Sequence, residues 1–233
     1  KTIVHNNIPR YDLIQRGADI IAPDIYYIDG KKSTDQQNYA AYAYGYGAAL
    51  KSAKGRKPIM MILGAFGHEQ KVDHLMTSFI SICCGARGLM WYAWDERNGT
   101  GLVAVPEAQQ YLAEVIADVK KIIPALLNPK RRTFVEPVFY TETVAEGESQ
   151  KEIKKDSGRK LYGIVCGDEE KGTVIMVNPT PHAVPNPPVK EALGKRIKSV
   201  YEGDDLKEPM RPFSVRAFRW KAGAGNKKSA QGR

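Results

Sequence analysis

Residues 18–27 read Ala-Asp-Ile-Ile-Ala-Pro-Asp-Ile-Tyr-Tyr, and residues 85–96 read Gly-Ala-Arg-Gly-Leu-Met-Trp-Tyr-Ala-Trp-Asp-Glu. Each stretch is an apolar run that finishes in aromatic rings beside carboxylates. A nearly continuous apolar run suits a strand that is covered on both faces, as in a parallel sheet. Because the carboxyl ends of parallel strands lie at one edge, the pattern predicts that these rings and acids line one pocket.

Strand and helix patterns alternate through the first half of the chain. A predicted strand at 58–66 lies between strands at 18–28 and 86–94. Apolar residues recur at three- and four-residue spacing after each of the first two strands, and Pro106 opens a third helix. Three consecutive βα units predict the α/β class with a parallel sheet.

From about residue 124 the pattern changes to short alternating segments separated by turns. Strands are predicted at 134–140, 161–166, 173–178, 199–202 and 213–220, with a hairpin loop at 167–172. This pattern is typical of a small antiparallel sheet. Residues 146–158 are charged and poor in apolar side chains, so they predict a long mobile hairpin tip.

Composition places the chain among ordinary globular proteins, with 42% hydrophobic and 26% charged residues. No apolar run approaches the roughly 20 residues that span a bilayer, and no signal peptide opens the chain. We therefore expect a soluble protein without a membrane span. The compartment stays open, and secreted or periplasmic locations are included.

The net charge of +9 is unevenly distributed. Residues 1–125 carry 14 Lys and Arg against 12 Asp and Glu, whereas residues 126–233 carry 21 against 14. The excess lies at 130–132, at 151–160 and in the tail at 221–233, whose composition predicts flexibility. No aromatic-basic interleaving or recognition motif accompanies the charge, so nucleic acid is disfavoured as a partner.

Taken in order, the segments resemble the last three βα units of a glycoside hydrolase (β/α)8 barrel. The resemblance rests on Ala-Asp-Ile-Ile-Ala-Pro-Asp-Ile-Tyr, Lys-Pro-Ile-Met-Met-Ile-Leu and Gly-Ala-Arg-Gly-Leu-Met-Trp-Tyr-Ala-Trp. The later segments, which end in Phe-Ser-Val-Arg-Ala-Phe-Arg-Trp, are similar to the C-terminal β-sandwich of many such barrels. The resemblance implies barrel units at 1–123, an antiparallel β-sandwich domain at 124–220 and a basic flexible tail at 221–233.

Three βα units cannot close an eight-stranded barrel, and an open parallel sheet leaves an edge bare. The chain begins with Lys1 rather than Met. We therefore expect an upstream segment or a partner chain to complete the barrel.

The resemblance implies an acid/base at the end of strand four and a nucleophile at the end of strand seven, the two carboxyl groups of common glycoside hydrolysis. In the predicted strand seven the first carboxylate is Glu69, three residues past the strand end. Glu69 is the catalytic candidate there, although a first-turn acid that favours the helix dipole would look the same. Asp95, in the loop after strand eight, is the second catalytic candidate.

Four further residues are candidates for substrate binding: Asp24, Tyr26, Trp94 and Glu96. Asp24 ends a strand and can accept hydrogen bonds from sugar hydroxyls, or bond loop amides. Trp94 is the better ring for stacking on a pyranose, and Trp91, three positions earlier, faces the opposite way as a core residue. Asp95 or Glu96 can instead pair with Arg97.

No metal and no cofactor are predicted. His68 and His74 are six positions apart, which does not place them on one helical face as a metal pair. Cys83 and Cys84 are adjacent at a predicted helix end and are interpreted as packed thiols. No glycine motif for phosphate and no nucleophile elbow are found.

The sequence therefore predicts a carbohydrate-active, glycoside hydrolase-like protein that hydrolyses or binds a carbohydrate substrate at the barrel mouth. One alternative is a non-catalytic carbohydrate-binding or structural assembly component with a degenerate barrel. The second is a different parallel α/β enzyme whose decisive motifs lie upstream.

Overall fold

The computed structural model describes residues 3–6, 18–24, 39–65, 70–92, 101–146, 149–186, 189, 195–202 and 204–222. In the first half these form β1 (Ile3–Asn6), β2 (Ile20–Pro23), α1 (Ala40–Ser52), β3 (Met60–Gly64), α2 (Lys71–Cys84) and β4 (Gly88–Tyr92). A 3₁₀ turn (Leu102–Ala104) and α3 (Pro106–Leu126) follow. The second half holds β5 (Arg131–Glu146), β6 (Ser149–Gly167), β7 (Lys171–Asn178), β8 (Arg196–Ser199) and β9 (Ser214–Lys221).

The first four strands run parallel and lie side by side in chain order. β1 pairs with β2 and β3 pairs with β4. Parallel bridges from Ile21 to Ile59 and from Asp24 to Ile62 connect β2 to β3. The α/β class is confirmed, and β2, β3 and β4 lie inside the predicted ranges. The structure corrects the expected number of three parallel strands by adding β1. The sequence missed β1 because four residues are too few to produce a recognisable hydrophobic pattern.

The second half forms one antiparallel sheet of five strands in the order β5-β6-β7-β9-β8. The prediction of a mobile tip at 146–158 is wrong, because β6 pairs with β5 along that region. Main-chain hydrogen bonds across a two-stranded ribbon do not require apolar side chains, so the charged composition was misleading. Within the described residues this part holds a single sheet, and the second sheet of a sandwich stays a prediction.

One apolar core joins the two halves. It contains Met61 and Leu63 from β3, Phe79 from α2, and Ile164 and Ile175 from the antiparallel sheet. Helix α2 therefore contributes to packing against both sheets. The domain boundary near residue 124 stays a prediction, since the core runs across it.

The opposite face of the antiparallel sheet is covered by the segments between β7 and β9. Val184, Leu206 and Met210 pack there against strand residues such as Val174 and Phe218. Two glycines are needed on the strands because aromatic rings lie over them. A Cβ at Gly163 or Gly172 would lie 2.1 Å from the ring of Phe134 or Trp220 respectively.

Arg216 is buried on the same side of the sheet. Its guanidinium donates to the carbonyl oxygens of Asp205 and Pro209 at 2.7 and 2.9 Å, and also to that of Glu208. The nearest carboxylate oxygen of Asp204 is 4.0 Å away. The guanidinium therefore holds the chain between β8 and β9 against the sheet.

Candidate functional site

The register of the parallel sheet determines which side chains share the face opposite the described helices, here called the helix-free face. Residues that are paired across parallel strands point to the same side, and alternate residues point to opposite sides. Ile59, Met61 and Leu63 pack into the helix-facing core. The opposite face therefore carries three rows, listed from the amino to the carboxyl end: Ala22, Met60 and Gly88; Asp24, Ile62 and Met90; Gly64 and Tyr92.

Asp24 occupies the carboxyl end of β2, as the sequence predicted. It is half-buried and forms a backbone bridge with Ile62 of β3. Its carboxylate therefore projects from a backbone position that two strands define. A carboxylate at this edge can accept hydrogen bonds from hydroxyl groups of a ligand.

Tyr92 is the residue that the sequence interpretation missed. It is the last residue of β4 and its side chain is 54% exposed. The main-chain nitrogen of Ala65 donates to its carbonyl oxygen at 2.6 Å, which connects the ends of β3 and β4. The signal that could have identified Tyr92 is two-residue alternation from Trp91, which is predicted to face the core, since neighbours on a strand face opposite sides.

Asp24 and Tyr92 lie on one face, two strands apart and one pleat apart along the sheet. With strands about 4.8 Å apart and a rise of about 3.3 Å per residue, their Cα atoms are roughly 12 Å from each other. An acid and an exposed ring at that separation can contact opposite ends of one sugar-sized ligand. This arrangement of an acid and a ring is suited to binding a ligand.

Trp91 packs on the helix side, as predicted for a core residue. With Leu89 and the apolar side of α3 it lines a cavity of about 450 Å³. Its indole nitrogen is buried, and no acceptor for it lies among the described residues. Trp91 therefore takes no part in the face that carries Asp24.

The remaining predicted site residues lie outside the described residues. These are the catalytic candidates Glu69 and Asp95 and the binding candidates Tyr26, Trp94 and Glu96. β3 ends at Gly64, so Glu69 follows the last strand residue by five positions along the chain. The sequence predicts the strand end two residues later, at Phe66.

A buried polar cluster lies at the start of α2. Asp73 accepts a hydrogen bond from the Tyr39 hydroxyl at 2.6 Å and another from the Gln70 main-chain nitrogen at 2.8 Å. Together with Gln70 it forms a capping box for the helix. Burial lowers the pKa of the adjacent His74 to about 4, and the neighbouring Asp73 opposes this shift. The cluster stabilises the helix start and keeps His74 neutral.

The cysteines are reduced and buried or half-buried. Burial raises the pKa of Cys84 to about 12 and that of Cys166 to about 11. The pKa of Cys83 is also raised, by burial first and then by the neighbouring thiols. Protonated thiols are poor nucleophiles and poor metal ligands, which agrees with their interpretation as packing residues.

No group of three or more His, Cys, Asp or Glu within the described part of the chain could hold a metal ion. None of its helices is both long and apolar enough to cross a bilayer.

No protein-family model matches the sequence, and no curated protein matches it. Among solved structures, the chain is similar to an alpha-amylase from Geobacillus thermoleovorans complexed with acarbose, at 11% identity and a TM-score of 0.35. It is also similar to an alpha-amylase from H. orenii, at 8% identity and a TM-score of 0.33. Each match covers 91% of this chain and 56% of the amylase, so the chain spans about half the length of these proteins. Likenesses at this level assign neither a family nor an activity.

Proposed function

We propose that the helix-free face of the parallel sheet belongs to a (β/α)8-type barrel, and that its carboxyl end binds or hydrolyses a carbohydrate. The observation that carries the proposal is that Asp24 and Tyr92 lie on the same face of the sheet, at that end. The chain-order arrangement of four parallel strands supports it, since barrels place neighbours in sequence side by side. In such barrels ligands bind at the carboxyl ends of the strands.

Carbohydrate is the favoured ligand because of the side chains present. A carboxylate accepts hydrogen bonds from sugar hydroxyls, and an exposed aromatic ring can pack against the apolar face of a pyranose. Tyr26, Trp94 and Glu96 are proposed to add to this binding surface. Glu69 and Asp95 are proposed as the carboxylates that would carry hydrolysis.

A non-catalytic carbohydrate-binding protein is the second candidate function. The observation in its favour is the position of Glu69, five residues beyond the end of β3. A nucleophile is expected at the strand tip, where the backbone fixes its direction. A glutamate that lies farther along the chain is separated from that support.

The binding proposal is tested with neutral oligosaccharides such as α- and β-linked glucohexaoses, measured by calorimetry on the whole chain. Asp24→Asn and Tyr92→Ala are each expected to weaken binding about tenfold, the loss expected for a contact worth about 1.4 kcal/mol. Asp19→Asn is a matched control because Asp19 is exposed just before the amino end of β2. Tyr44→Ala is the control for the ring, since Tyr44 is 73% exposed on α1.

Hydrolysis is tested separately by following reducing ends with the same glucans. If the protein is an enzyme, Glu69→Gln or Asp95→Asn lowers kcat at least 100-fold while binding is retained. Binding without turnover by the wild-type chain selects the non-catalytic candidate. The carbohydrate proposal fails if no glucan binds, or if the controls weaken binding as much as Asp24→Asn and Tyr92→Ala do.

A further inference from the structure

A cleft of about 760 Å³ lies on the antiparallel sheet, away from the face that carries Asp24. It is bounded by the end of α3, including Pro124 and Asn128, and by the ends of β7, β8 and β9. Of its described lining residues none is acidic and five are cationic: Lys171, Arg196, Lys198, Arg219 and Lys221. All five side chains are exposed. We call this surface the cationic cleft.

Strand register arranges these cations in two rows on one face of the sheet. Lys171 of β7 pairs with Lys221 of β9, which pairs in turn with Arg196 of β8. Two residues along, Arg219 of β9 lies between Thr173 of β7 and Lys198 of β8. Directly opposed residues in an antiparallel sheet share a face. The array therefore covers roughly 10 Å across the strands and 7 Å along them.

Like charges directly opposite each other destabilise a sheet. Within the described residues, no carboxylate forms an ion pair with any of the five cations. The nearby Asp168 pairs instead with Lys130, at 2.9 Å. Within the same described ranges, Arg219 is the one of the five whose side chain makes a hydrogen bond, donating to the carbonyl oxygen of Lys121 at 2.9 Å near the end of α3. Among the described residues, the other four cations therefore have no side-chain hydrogen bond or ion pair with the rest of the fold.

The spread of the charges indicates the shape of the ligand. A single phosphate is held by donors that converge on one point, such as a helix N-terminus or a bidentate arginine. Here the charges lie at intervals over three strands, and the adjacent helix end is a C-terminus. Charges at intervals match a chain that carries several anionic groups along its length.

The cleft walls distinguish between chains of this kind. Single-stranded nucleic acid is held by bases stacked on exposed aromatic rings. The one aromatic residue in the described part of the lining is Trp220, whose side chain is buried and donates its N–H to the Asp168 carbonyl oxygen at 2.9 Å. The other walls are formed by Pro124, Ala125 and the alkyl stems of the cations, which suit the apolar faces of sugar rings.

We propose that the cationic cleft binds an anionic oligosaccharide, a glycan chain bearing sulfate or uronate groups. The cations on β7, β8 and β9 pair with its acidic groups while the sugar rings lie against the stems and Pro124. The sequence continues the positive charge, since residues 223–233 contain Lys227, Lys228 and Arg233 and no acid. This proposal does not depend on the parallel-sheet site, because the two sites share no residue.

The test measures fluorescence anisotropy of a labelled, sulfated heparin-derived hexasaccharide with the whole chain. The cleft variant combines Lys171→Gln, Arg196→Gln, Lys198→Gln and Lys221→Gln, and leaves Arg219 to hold the end of α3. Its affinity at low salt is expected to fall about 30-fold or more, and the dependence of log K on log salt to flatten by about two to three units. The matched control removes four exposed cations outside the cleft, by Lys51→Gln, Arg56→Gln, Lys160→Gln and Lys207→Gln.

Folding of the cleft variant is checked by its thermal midpoint, which should equal or exceed that of the wild type because like-charge repulsion is relieved. If the cleft and control variants lose the same affinity for the hexasaccharide, binding depends on net charge alone and the proposal is overturned. So would failure of the wild type to bind the hexasaccharide at low salt. If oligothymidylate binds more tightly than the hexasaccharide through the same four cations, the ligand of the cleft is nucleic acid and the glycan proposal is overturned. Displacement of the hexasaccharide by neutral glucohexaose would relocate its binding to the parallel-sheet site.

Discussion

The two sheets of this protein are covered to different extents. The antiparallel sheet has an apolar cluster on each face, and from Thr173 to Asn178 every residue of β7 is buried. The parallel sheet has helices on one face, whereas Met90 and Tyr92 on its other face are 38% and 54% exposed. The antiparallel sheet and the shared core therefore supply most of the packing. On that other face Ala22 of β2 and Ile62 of β3 are buried, so the open surface of the parallel sheet lies along β4.

The largest effect is expected at Arg216, on the outer face of the antiparallel sheet. Arg216→Met removes the guanidinium donor from the carbonyl oxygens of Asp205 and Pro209, while the Glu208 carbonyl oxygen keeps the Asn186 amide as a donor at 2.7 Å. We expect the free energy of unfolding in urea to fall by about 4 kcal/mol. Arg211→Met, at an exposed arginine, should change it by less than about 0.5 kcal/mol. A small loss at Arg216 would show that this face contributes little.

Phe79 tests whether the two sheets unfold together. Its ring is fully buried in the shared core and meets Tyr201 edge-on, with the ring centroids 6.4 Å apart. Phe79→Ala should cost about 3–4 kcal/mol through lost contacts and a cavity. Hydrogen exchange should then show β3 and β7 losing protection by the same factor. Loss of protection in one sheet alone would show that the two sheets unfold independently.

His74 links stability to pH in the helix layer beneath the parallel sheet. Its folded-state pKa of about 4 lies below the ordinary value of 6.5, so the unfolded chain binds the proton more readily. Stability should therefore be constant above about pH 6.5 and fall as pH decreases from there towards 4, by about 2–3 kcal/mol in total. His74→Gln should remove most of this slope in urea unfolding measured across that range. His182→Gln, a partly exposed histidine stacked on Tyr140, is the matched control and should retain the slope.

The smallest expected effect is a gain in stability at the edge of the helix layer. Gly47 is exposed within α1, and a Cβ there would meet nothing within 4 Å. Gly47→Ala should raise the free energy of unfolding by about 0.5–1 kcal/mol, because alanine loses less backbone entropy in a helix. Gly55 has equally open space but a φ of +68°, so Gly55→Ala should lower the free energy of unfolding instead. Changes of the same sign in both variants would contradict this account.

The sequence predicted β2, β3, β4, β7 and β9 closely, whereas it covered only parts of β5 and β6, overlapped β8 by one residue and missed β1. The apolar runs around Ile20 and Met61 identify buried strands because burial on both faces requires them. β1 has four residues and no such run. The β5–β6 ribbon is stabilised by main-chain pairing, which leaves no trace in side-chain hydropathy. At the candidate site, Asp24 could be predicted from its position at a strand end. Identifying Tyr92 requires knowing which side of the sheet its side chain faces.

The close approach of Trp220 to Gly172 has an optical consequence. The indole lies over the glycine and its N–H is fixed on the Asp168 carbonyl oxygen, so its surroundings are asymmetric and rigid. A displacement of β9 along β7 by two residues would bring Trp220 opposite a residue other than Gly172, where a side chain would push the ring away. In a Trp91→Phe and Trp94→Phe background, the near-ultraviolet circular dichroism of Trp220 would therefore report whether β9 keeps its register with β7.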